Sequence, residues 1–240
     1  MNKKIAFFIL LLVFVLQLNA QDNKYIHIPL IGEKAPAFTG QSTQGEISFP
    51  YDFGKSWKIL FAHPKDFTPV CSSEILELAY QQEEYEKLGV KIIVVSTDIL
   101  SQHESWVKAL EEIRYKEREP VKINFPLVAD EKMVIANKYG MIHPYVSIAQ
   151  NIRGVFIIDP DNIIRAISFY PMQVGRNLDE IKRTILALQT VDASQLVVTP
   201  ANWNPGDKLM IPVLSKSESE TAGETGSAID EVSWFMRFTE

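Results

Sequence analysis

Three consecutive segments limit this chain to an α/β fold. Residues 57–62 form an apolar run, residues 71–88 carry apolar side chains near helical spacing, and residues 91–96 form a β-branched run bounded by Gly89 and Asp98. This order predicts a strand, a helix and a second strand. Because the alternation continues along the chain, we expect helices on both sides of a mixed sheet.

The later elements are predicted from the same periodicities and from turn residues. Asp98 or Ser101 is expected to cap a helix that runs through Trp106 and ends before Pro120. The other predicted elements are a strand at 125–128, a helix at 132–139 closed by Gly140, hairpin strands at 155–158 and 163–169, a helix at 178–188, and a terminal strand at 234–238.

The composition is that of an acidic globular protein. The 240 residues are 46% hydrophobic, which is ordinary for a chain that buries a full core. The formal net charge of -6 opposes binding to a phosphate backbone, which requires a basic face. We therefore expect no nucleic-acid partner.

The first twenty residues are typical of a secretory signal peptide. Lys3 and Lys4 give a positive start, residues 5–18 are almost wholly apolar, and Ala20 precedes a plausible cleavage point. The apolar stretch is shorter than the roughly 20 residues that a spanning helix needs. We therefore predict an exported protein, periplasmic or secreted, with an uncleaved membrane anchor as the alternative.

Cys71 is the only cysteine of the chain. It follows the first predicted strand, and a helix is expected to begin at residues 72–74, where free backbone N–H groups and the helix dipole favour an anion. Most lone cysteines are inert packing residues, but residues 65–73 are polar and rich in turn formers. Cys71 is therefore predicted to be a reactive thiol. One cysteine forms no internal disulfide, so its reductant must be another molecule.

The segment around Cys71 resembles the active-site signature of the peroxiredoxins. The matching residues are Pro64-x-x-x-Thr68-x-x-Cys71, and the preceding His63 makes the segment similar to the one-cysteine (peroxiredoxin 6-like) subgroup. The resemblance covers about residues 28–212 and is carried further by residues 126–130, 153–160, 170–180 and 198–203.

This resemblance implies a thioredoxin-like fold with a small C-terminal extension. Residues 28–189 are assigned to the thioredoxin-like domain and residues 190–240 to the extension, in which residues 215–226 read as a polar, solvated loop. The resemblance also implies a thiol peroxidase of antioxidant defence, which reduces hydrogen peroxide and organic hydroperoxides. The implied partners are the peroxide, an external thiol or other reductant, and a second copy of the chain in a homodimer or larger homo-oligomer.

Four residues are assigned to the catalytic site by this resemblance. Cys71 is the nucleophile that becomes a sulfenic acid, and Arg153 holds the thiolate and polarises the peroxide. Thr68 is expected to hydrogen-bond the bound peroxide, and Pro64 to shield the sulfur from water. On sequence alone, Arg153 also fits a surface ion pair, Thr68 a turn and Pro64 a strand terminator.

Two further residues are assigned supporting roles. His63 is expected to hydrogen-bond near the sulfur, and Arg176 matches a second arginine that supports the pocket in the family. Packing or ion-pair roles remain open for both. We expect no metal and no organic cofactor, because the histidines lack ligand-like spacing and one cysteine makes no zinc site. The histidines are His27, His63, His103 and His143.

Two other functions remain as alternatives. A chaperone-like or scaffold oligomer that has kept the fold would not need the thiol, so Cys71→Ser would leave its biological effect intact. A thiol-disulfide exchange enzyme is less well supported, because Cys71 has no partner in a Cys-x-x-Cys arrangement.

Some one-cysteine relatives also hydrolyse phospholipids, and we predict that this chain does not. Ser56 and Asp161 match the serine and aspartate of the family's triad, but Pro50 stands where the family has histidine and Lys58 where it has a second glycine. Proline cannot accept the serine proton. We expect no fatty acid release from phospholipid vesicles. Hydrolysis that disappears in Ser56→Ala would contradict this prediction.

Overall fold

The computed structural model describes residues 26–194, 196–212 and 229–239. The predicted signal peptide at 1–20 and the predicted polar loop at 215–226 lie outside the described residues. Within these three stretches, no helix combines the length and the apolar character that a membrane crossing requires.

A mixed sheet forms the centre of the described chain. Its strands are β1 (Phe38–Ser42), β2 (Gly45–Phe49), β3 (Trp57–Ala62), β4 (Val90–Ser96), β5 (Leu127–Ala129), β6 (Arg153–Ile158) and β7 (Ile164–Tyr170), and their order across the sheet is β2-β1-β5-β4-β3-β6-β7. The central strand β3 pairs in parallel with β4 and antiparallel with β6. The predicted mixed sheet is therefore confirmed.

Helices cover both faces of this sheet. In the described part of the chain they are α1 (Pro69–Lys87), α2 (Leu100–Leu110), α3 (Val134–Lys138) and α4 (Leu178–Ala193), with one short 3-10 turn at Tyr51–Phe53. Helices α1, α2 and α4 pack on the face that carries Ile59 and Phe61, and α3 packs on the face that carries Leu60 and Ala62. Every residue of β3 is buried, as expected for a strand covered on both faces.

Helix α1 begins earlier than the sequence predicted, at Pro69 rather than at residues 72–74. Proline favours the first turn of a helix, because its fixed φ suits the helix and its missing N–H has no partner to lose there. Cys71 therefore lies inside the first turn of α1 rather than ahead of it.

The prediction that Asp98 or Ser101 caps α2 is wrong. The N-cap residue is Ile99, which makes no side-chain capping hydrogen bond. Asp98 Oδ2 instead accepts hydrogen bonds from the Asp66 backbone N–H and the Ser96 hydroxyl, both at 2.9 Å. Asp98 thus connects the end of β4 to the loop that precedes α1.

The bounds of the later helices also differ from the prediction. Helix α3 begins at Val134, because Met133 has a left-handed φ of 55° that an α-helix does not include. Helix α4 continues to Ala193, beyond the predicted end at residue 188. The predicted hairpin is confirmed, since β6 and β7 pair antiparallel.

The extension ends in a hairpin rather than in the predicted single strand at 234–238. Its strands are β8 (Ile229–Ser233) and β9 (Met236–Thr239). Trp234 and Phe235 form the exposed turn between them. Met210 bridges to Phe238, so the hairpin pairs with the earlier part of the extension.

Gly140, at the end of α3, lies against residues 27 and 28 of the N-terminal segment. Its φ is +62°, and a Cβ there would lie 2.5 Å from Ile28 Cγ1 and 2.8 Å from the His27 carbonyl oxygen. Gly89 has a similar φ of +69° but open space around it. We expect Gly89→Ala to cost about 1–2 kcal/mol of unfolding free energy, and Gly140→Ala roughly 2–5 kcal/mol, in urea titrations. Equal costs would contradict the packing argument.

Candidate active site

Cys71 occupies the first turn of α1 and is fully buried. Strand β3 ends at Ala62, and the loop of residues 63–68 leads from it to the helix. Thr68 precedes the helix with extended backbone, and its carbonyl oxygen accepts the Ser72 N–H at 2.9 Å. The sulfur is thus attached where unpaired backbone N–H groups give a helix its positive end.

Arg153 is in direct contact with the sulfur. Its Nη1 lies 3.3 Å from Cys71 Sγ and 2.7 Å from Glu74 Oε2. Its Nε donates to the Met172 carbonyl oxygen at 2.9 Å, and its Nη2 donates to the same oxygen. The guanidinium is therefore held from two sides and presents one N–H edge to the thiol.

Glu74 connects Arg153 to a second buried guanidinium, that of Arg176. Arg176 Nε and Nη2 donate to the two carboxylate oxygens at 2.9 and 2.7 Å, and its backbone N–H donates to Oε1 at 2.8 Å. Arg176 Nη1 also donates to the carbonyl oxygens of Ala62 and Gly154, and its guanidinium lies 3.3 Å from the centre of the Phe61 ring. Arg176 therefore joins α1 to the ends of β3 and β6.

The charges of this buried cluster balance only when the sulfur is an anion. Arg153 and Arg176 supply two positive charges and Glu74 one negative charge, so one positive charge is in excess while Cys71 is a thiol. An uncompensated buried charge is costly, and a thiolate removes it. Burial alone would raise the pKa of Glu74, but the hydrogen bonds and charge of Arg176, together with the charge of Arg153, hold it below its ordinary value.

Thr68 and Pro64 flank the sulfur along the chain. Thr68 is partly buried, and its hydroxyl donates to the Lys65 carbonyl oxygen at 2.9 Å. Both lone pairs of that hydroxyl are left for another donor. Pro64 is buried in the loop between β3 and α1. Their roles toward a peroxide stay predictions.

His63 belongs to a second buried group rather than to the arginine cluster. His63 Nε2 lies 2.8 Å from Asp66 Oδ1, and His103 Nδ1 lies 2.7 Å from Asp66 Oδ2. Burial lowers the pKa of His63, and Asp66 opposes this. Burial would raise the pKa of Asp66, but the hydrogen bonds and charges of the two histidines hold it below its ordinary value. The His63 ring packs 5.1 Å from the Trp106 ring, centre to centre.

Three side chains of these two groups were not predicted from the sequence. Glu74 was not assigned a role, although it follows Cys71 by three residues and so shares the buried face of α1. Asp66 and His103 were also missed, because 37 residues separate them in the chain. The buried position of Glu74 among apolar neighbours on a helix face was the one available signal.

Metal-type ligands come together at one place in the part of the chain that the structure describes. The ligand atoms of His63, Asp66 and His103 lie within 4.8 Å of one another, a proximity that their sequence spacing did not predict. Their N···O distances of 2.7 and 2.8 Å are ordinary hydrogen-bond lengths, and we assign these contacts as hydrogen bonds.

Comparisons with protein families and known proteins show what this chain is similar to. The model of the AhpC/TSA family matches residues 31–167, and the model of the C-terminal domain of 1-Cys peroxiredoxin matches residues 187–222. A peroxiredoxin of Methanosarcina mazei is 46% identical over 212 residues, which cover 87% of this chain and 96% of the relative.

Two solved structures are similar over almost all of their length. The yeast mitochondrial 1-Cys peroxiredoxin has a TM-score of 0.77 and 36% identity, covering 88% of this chain and 99% of that chain. A mutant of the Peroxiredoxin 6 of Arenicola marina has a TM-score of 0.76 and 34% identity, covering 88% of this chain and 97% of that chain.

The carboxylate of Glu74 is expected to be essential for stability. Glu74→Gln should lower the free energy of unfolding at pH 7 by roughly 3–5 kcal/mol, because it leaves two buried guanidiniums without a counter-charge. Glu77→Gln, one turn later on α1, is the control. Glu77 pairs with Lys116 and Arg118 near the surface, so its loss should cost only about 0–1 kcal/mol. Urea unfolding of both variants measures the difference, and equal costs would refute the role of Glu74.

The same carboxylate predicts a pH dependence. The pKa of Glu74 is lowered in the folded protein, so its stabilisation is fully present above the ordinary value of 4.5 and is lost as the pH falls through the folded value. The stability gap between the unaltered protein and Glu74→Gln should therefore shrink below pH 4.5. A constant gap in acid would contradict this assignment.

Proposed function

The chain belongs to the peroxiredoxin family and is a thiol peroxidase with a single cysteine, and from this premise we propose how its residues divide the reaction. Cys71 is the nucleophile, Arg153 and Thr68 stabilise the reacting oxygens, and Glu74 and Arg176 hold Arg153 in place. Pro64 shields the sulfur from water. The observation that carries this proposal is the 3.3 Å contact between Arg153 Nη1 and Cys71 Sγ inside a cluster that lacks one negative charge.

The first half of the reaction oxidises the sulfur. The Cys71 thiolate attacks one oxygen of the peroxide, and an S–O bond forms while the O–O bond breaks. The electron pair of that bond goes to the leaving oxygen, which takes one proton and departs as water or alcohol. Charge develops on both oxygens, so the fixed N–H groups of Arg153 stabilise the transition state. The Thr68 hydroxyl donates to Lys65, so it accepts a hydrogen bond from the peroxide O–H and orients the peroxide. Cys71 becomes a sulfenic acid.

The second half needs thiols from outside the chain. One external thiol condenses with the sulfenic acid, releasing water and forming a mixed disulfide. A second thiol attacks that disulfide, which restores Cys71 and releases the oxidised external disulfide. The yeast mitochondrial 1-Cys peroxiredoxin is described as using glutathione and thioredoxin systems. We propose a reductant of the same chemical class for this chain.

Location and assembly are further parts of the proposal. Residues 1–20 combine a positively charged start, an apolar stretch and a small residue at the end, and this pattern supports an exported protein, periplasmic or secreted. Its reductant must then be present in that compartment. Strand β7 lies at one edge of the sheet, and the exposed Trp234 and Phe235 lie at the tip of the terminal hairpin. The outer side of β7 pairs with residues 32–33 at Ile164, at the start of the strand. The remaining edge and the exposed aromatic side chains support a homodimer or larger homo-oligomer.

The region that matches the phospholipase triad supports the expected absence of lipid hydrolysis. Lys58 is fully buried, and its ammonium donates to the Ser56 carbonyl oxygen at 2.8 Å and to Asn162 Oδ1 at 2.7 Å. Asp161 pairs with Lys55. The Ser56 carbonyl oxygen and the Asp161 carboxylate are therefore engaged in structural contacts. Pro50 has no group that could act as the base.

Arg153 is expected to control the rate at which the thiol reacts with peroxide. Arg153→Ala should slow the loss of the Cys71 thiol by on the order of 10² to 10³, the usual effect of removing one transition-state donor. The reduced protein is mixed with stoichiometric hydrogen peroxide, and the remaining thiol is titrated over time. Cys71 is the only thiol, so the signal has one source. Arg165→Ala is the control, because Arg165 pairs with Asp192 away from the sulfur. An equal rate in Arg153→Ala and the unaltered protein would refute the proposal.

Thr68 is expected to act through its hydroxyl group. Thr68→Val keeps the shape but removes the hydroxyl, and it should slow thiol oxidation by about 10²-fold. Thr68→Ser keeps the hydroxyl and should retain most of the rate. The same stoichiometric assay compares the two. If valine and serine slow the reaction equally, Thr68 acts only as a turn residue.

A further inference from the structure

A closed loop, residues 141–152, leads into strand β6. The Ile152 N–H donates to the Met141 carbonyl oxygen at 2.9 Å and so closes the loop. The Thr97 hydroxyl donates to the Ala149 carbonyl oxygen at 2.8 Å, which attaches the loop to the residue after β4. These contacts hold the backbone of the loop close to the place where β6 begins.

Asn151, near the end of this loop, has a polar side chain that the fold does not use. It is fully buried, and neither its amide oxygen nor its amide nitrogen has a hydrogen-bond partner among the described residues. An asparagine amide offers two donors and one acceptor oxygen. Leaving such a group unpaired in a protein interior is costly, and buried polar groups nearly always have a partner. The amide therefore requires a ligand that these residues do not supply.

Asn151 lies two residues before Arg153, and the alternation of β6 relates the two side chains. Val155 belongs to the apolar cluster that contains Cys71, whereas Phe156 belongs to the cluster on the other face of the sheet. Arg153 follows the same alternation, since it contacts the Cys71 sulfur. Continued to residue 151, this alternation puts the Asn151 side chain on the Arg153 side of the sheet.

We propose that the Asn151 amide binds one buried water molecule, and that this water holds the segment leading into β6 so that Arg153 keeps its contact with the sulfur. Water fits both amide atoms, because it donates to the oxygen and accepts from the nitrogen. Buried water molecules typically make about three hydrogen bonds, and the third joins the amide to the backbone of the same segment. Asn151 is then a positioning residue that acts on the reaction through Arg153.

The position of this costly amide indicates a role in the reaction rather than in stability. An apolar side chain of the same shape would fill the same space without any hydrogen bond to satisfy. Proteins depart from this more stable solution chiefly at functional sites. Asn151 stands in the segment that carries the guanidinium in contact with Cys71. The positioning role rests on the proposed peroxidase function, whereas the water site does not.

A high-resolution crystal structure of the reduced full chain tests the water site directly. We expect one ordered water molecule within about 3 Å of both amide atoms of Asn151. The same crystal form of Asn151→Leu, whose apolar side chain has a similar size, should lose that water. An Asn151 amide that is paired with another protein group, or one that is well ordered without a water beside it, would overturn the inference.

Two substitutions of Asn151 separate positioning from stability. Asn151→Leu should keep or raise the thermal midpoint, because it has no polar group to satisfy, yet its Cys71 thiol should react with hydrogen peroxide at least about tenfold more slowly. Asn151→Ser can still bind water through its hydroxyl and should retain the rate within about threefold. A lower midpoint with an unchanged rate in the leucine variant would overturn the positioning role. A serine variant slowed tenfold would also overturn it, even if the leucine variant fails to fold.

His143, in the same loop, provides the matched control. Its Nε2 is also buried without a partner among the described residues, but its ring lies 5.6 Å from the ring of Phe169, on the face opposite Cys71. His143→Phe removes an unpaired atom of the same kind and should leave the oxidation rate unchanged. Equal slowing in His143→Phe and Asn151→Leu would reveal a general effect of the loop and overturn the positioning role. A thiol that is inert in the unaltered protein would contradict the peroxidase proposal and leave the crystallographic test of the water site standing.

Discussion

The carboxylate of Glu74, held between two buried guanidiniums, is the interaction on which the rest of the site depends. It fastens Arg153 beside the sulfur and Arg176 beneath the ends of β3 and β6. Without it, two positive charges would lie in the protein interior without a partner, a cost that no nearby apolar packing repays. The reactive thiol and the stability of α1 therefore share one electrostatic origin.

The arginine cluster and the group around Asp66 differ in the charged side chains that they contain. The arginine cluster places two guanidiniums and one carboxylate around the sulfur, so these three side chains carry one net positive charge. The group around Asp66 is held together by hydrogen bonds between one carboxylate and two histidine rings. The two groups share no hydrogen bond between the described side chains, so a substitution in one removes no contact of the other.

Much of this site was predictable from sequence, and the omissions have physical causes. The loop residues around Cys71 and the position of Arg153 follow a contiguous motif and one matched segment, so the sequence places them. Glu74 was missed because a glutamate near a helix start is usually a solvated residue that favours the helix dipole. The link between Asp66 and His103 depends on how α2 packs beside β5, which local periodicity does not determine. Asp98 was misread as a helix cap because its real partner, the Asp66 N–H, lies in a distant loop.

Because Cys71 is completely buried, the oxidation by peroxide and the reduction by an external thiol require different degrees of access to the sulfur. A peroxide is small, so it needs a narrower opening to the sulfur than a thiol on a larger molecule does. A thiol carried by a larger molecule must form an S–S bond with the same atom, and that requires the first turn of α1 to open. Every contact that stabilises this turn therefore shields the thiol and also restricts the access of the larger reductant. The stability of the first turn of α1 is therefore opposed to the access of the reductant to Cys71.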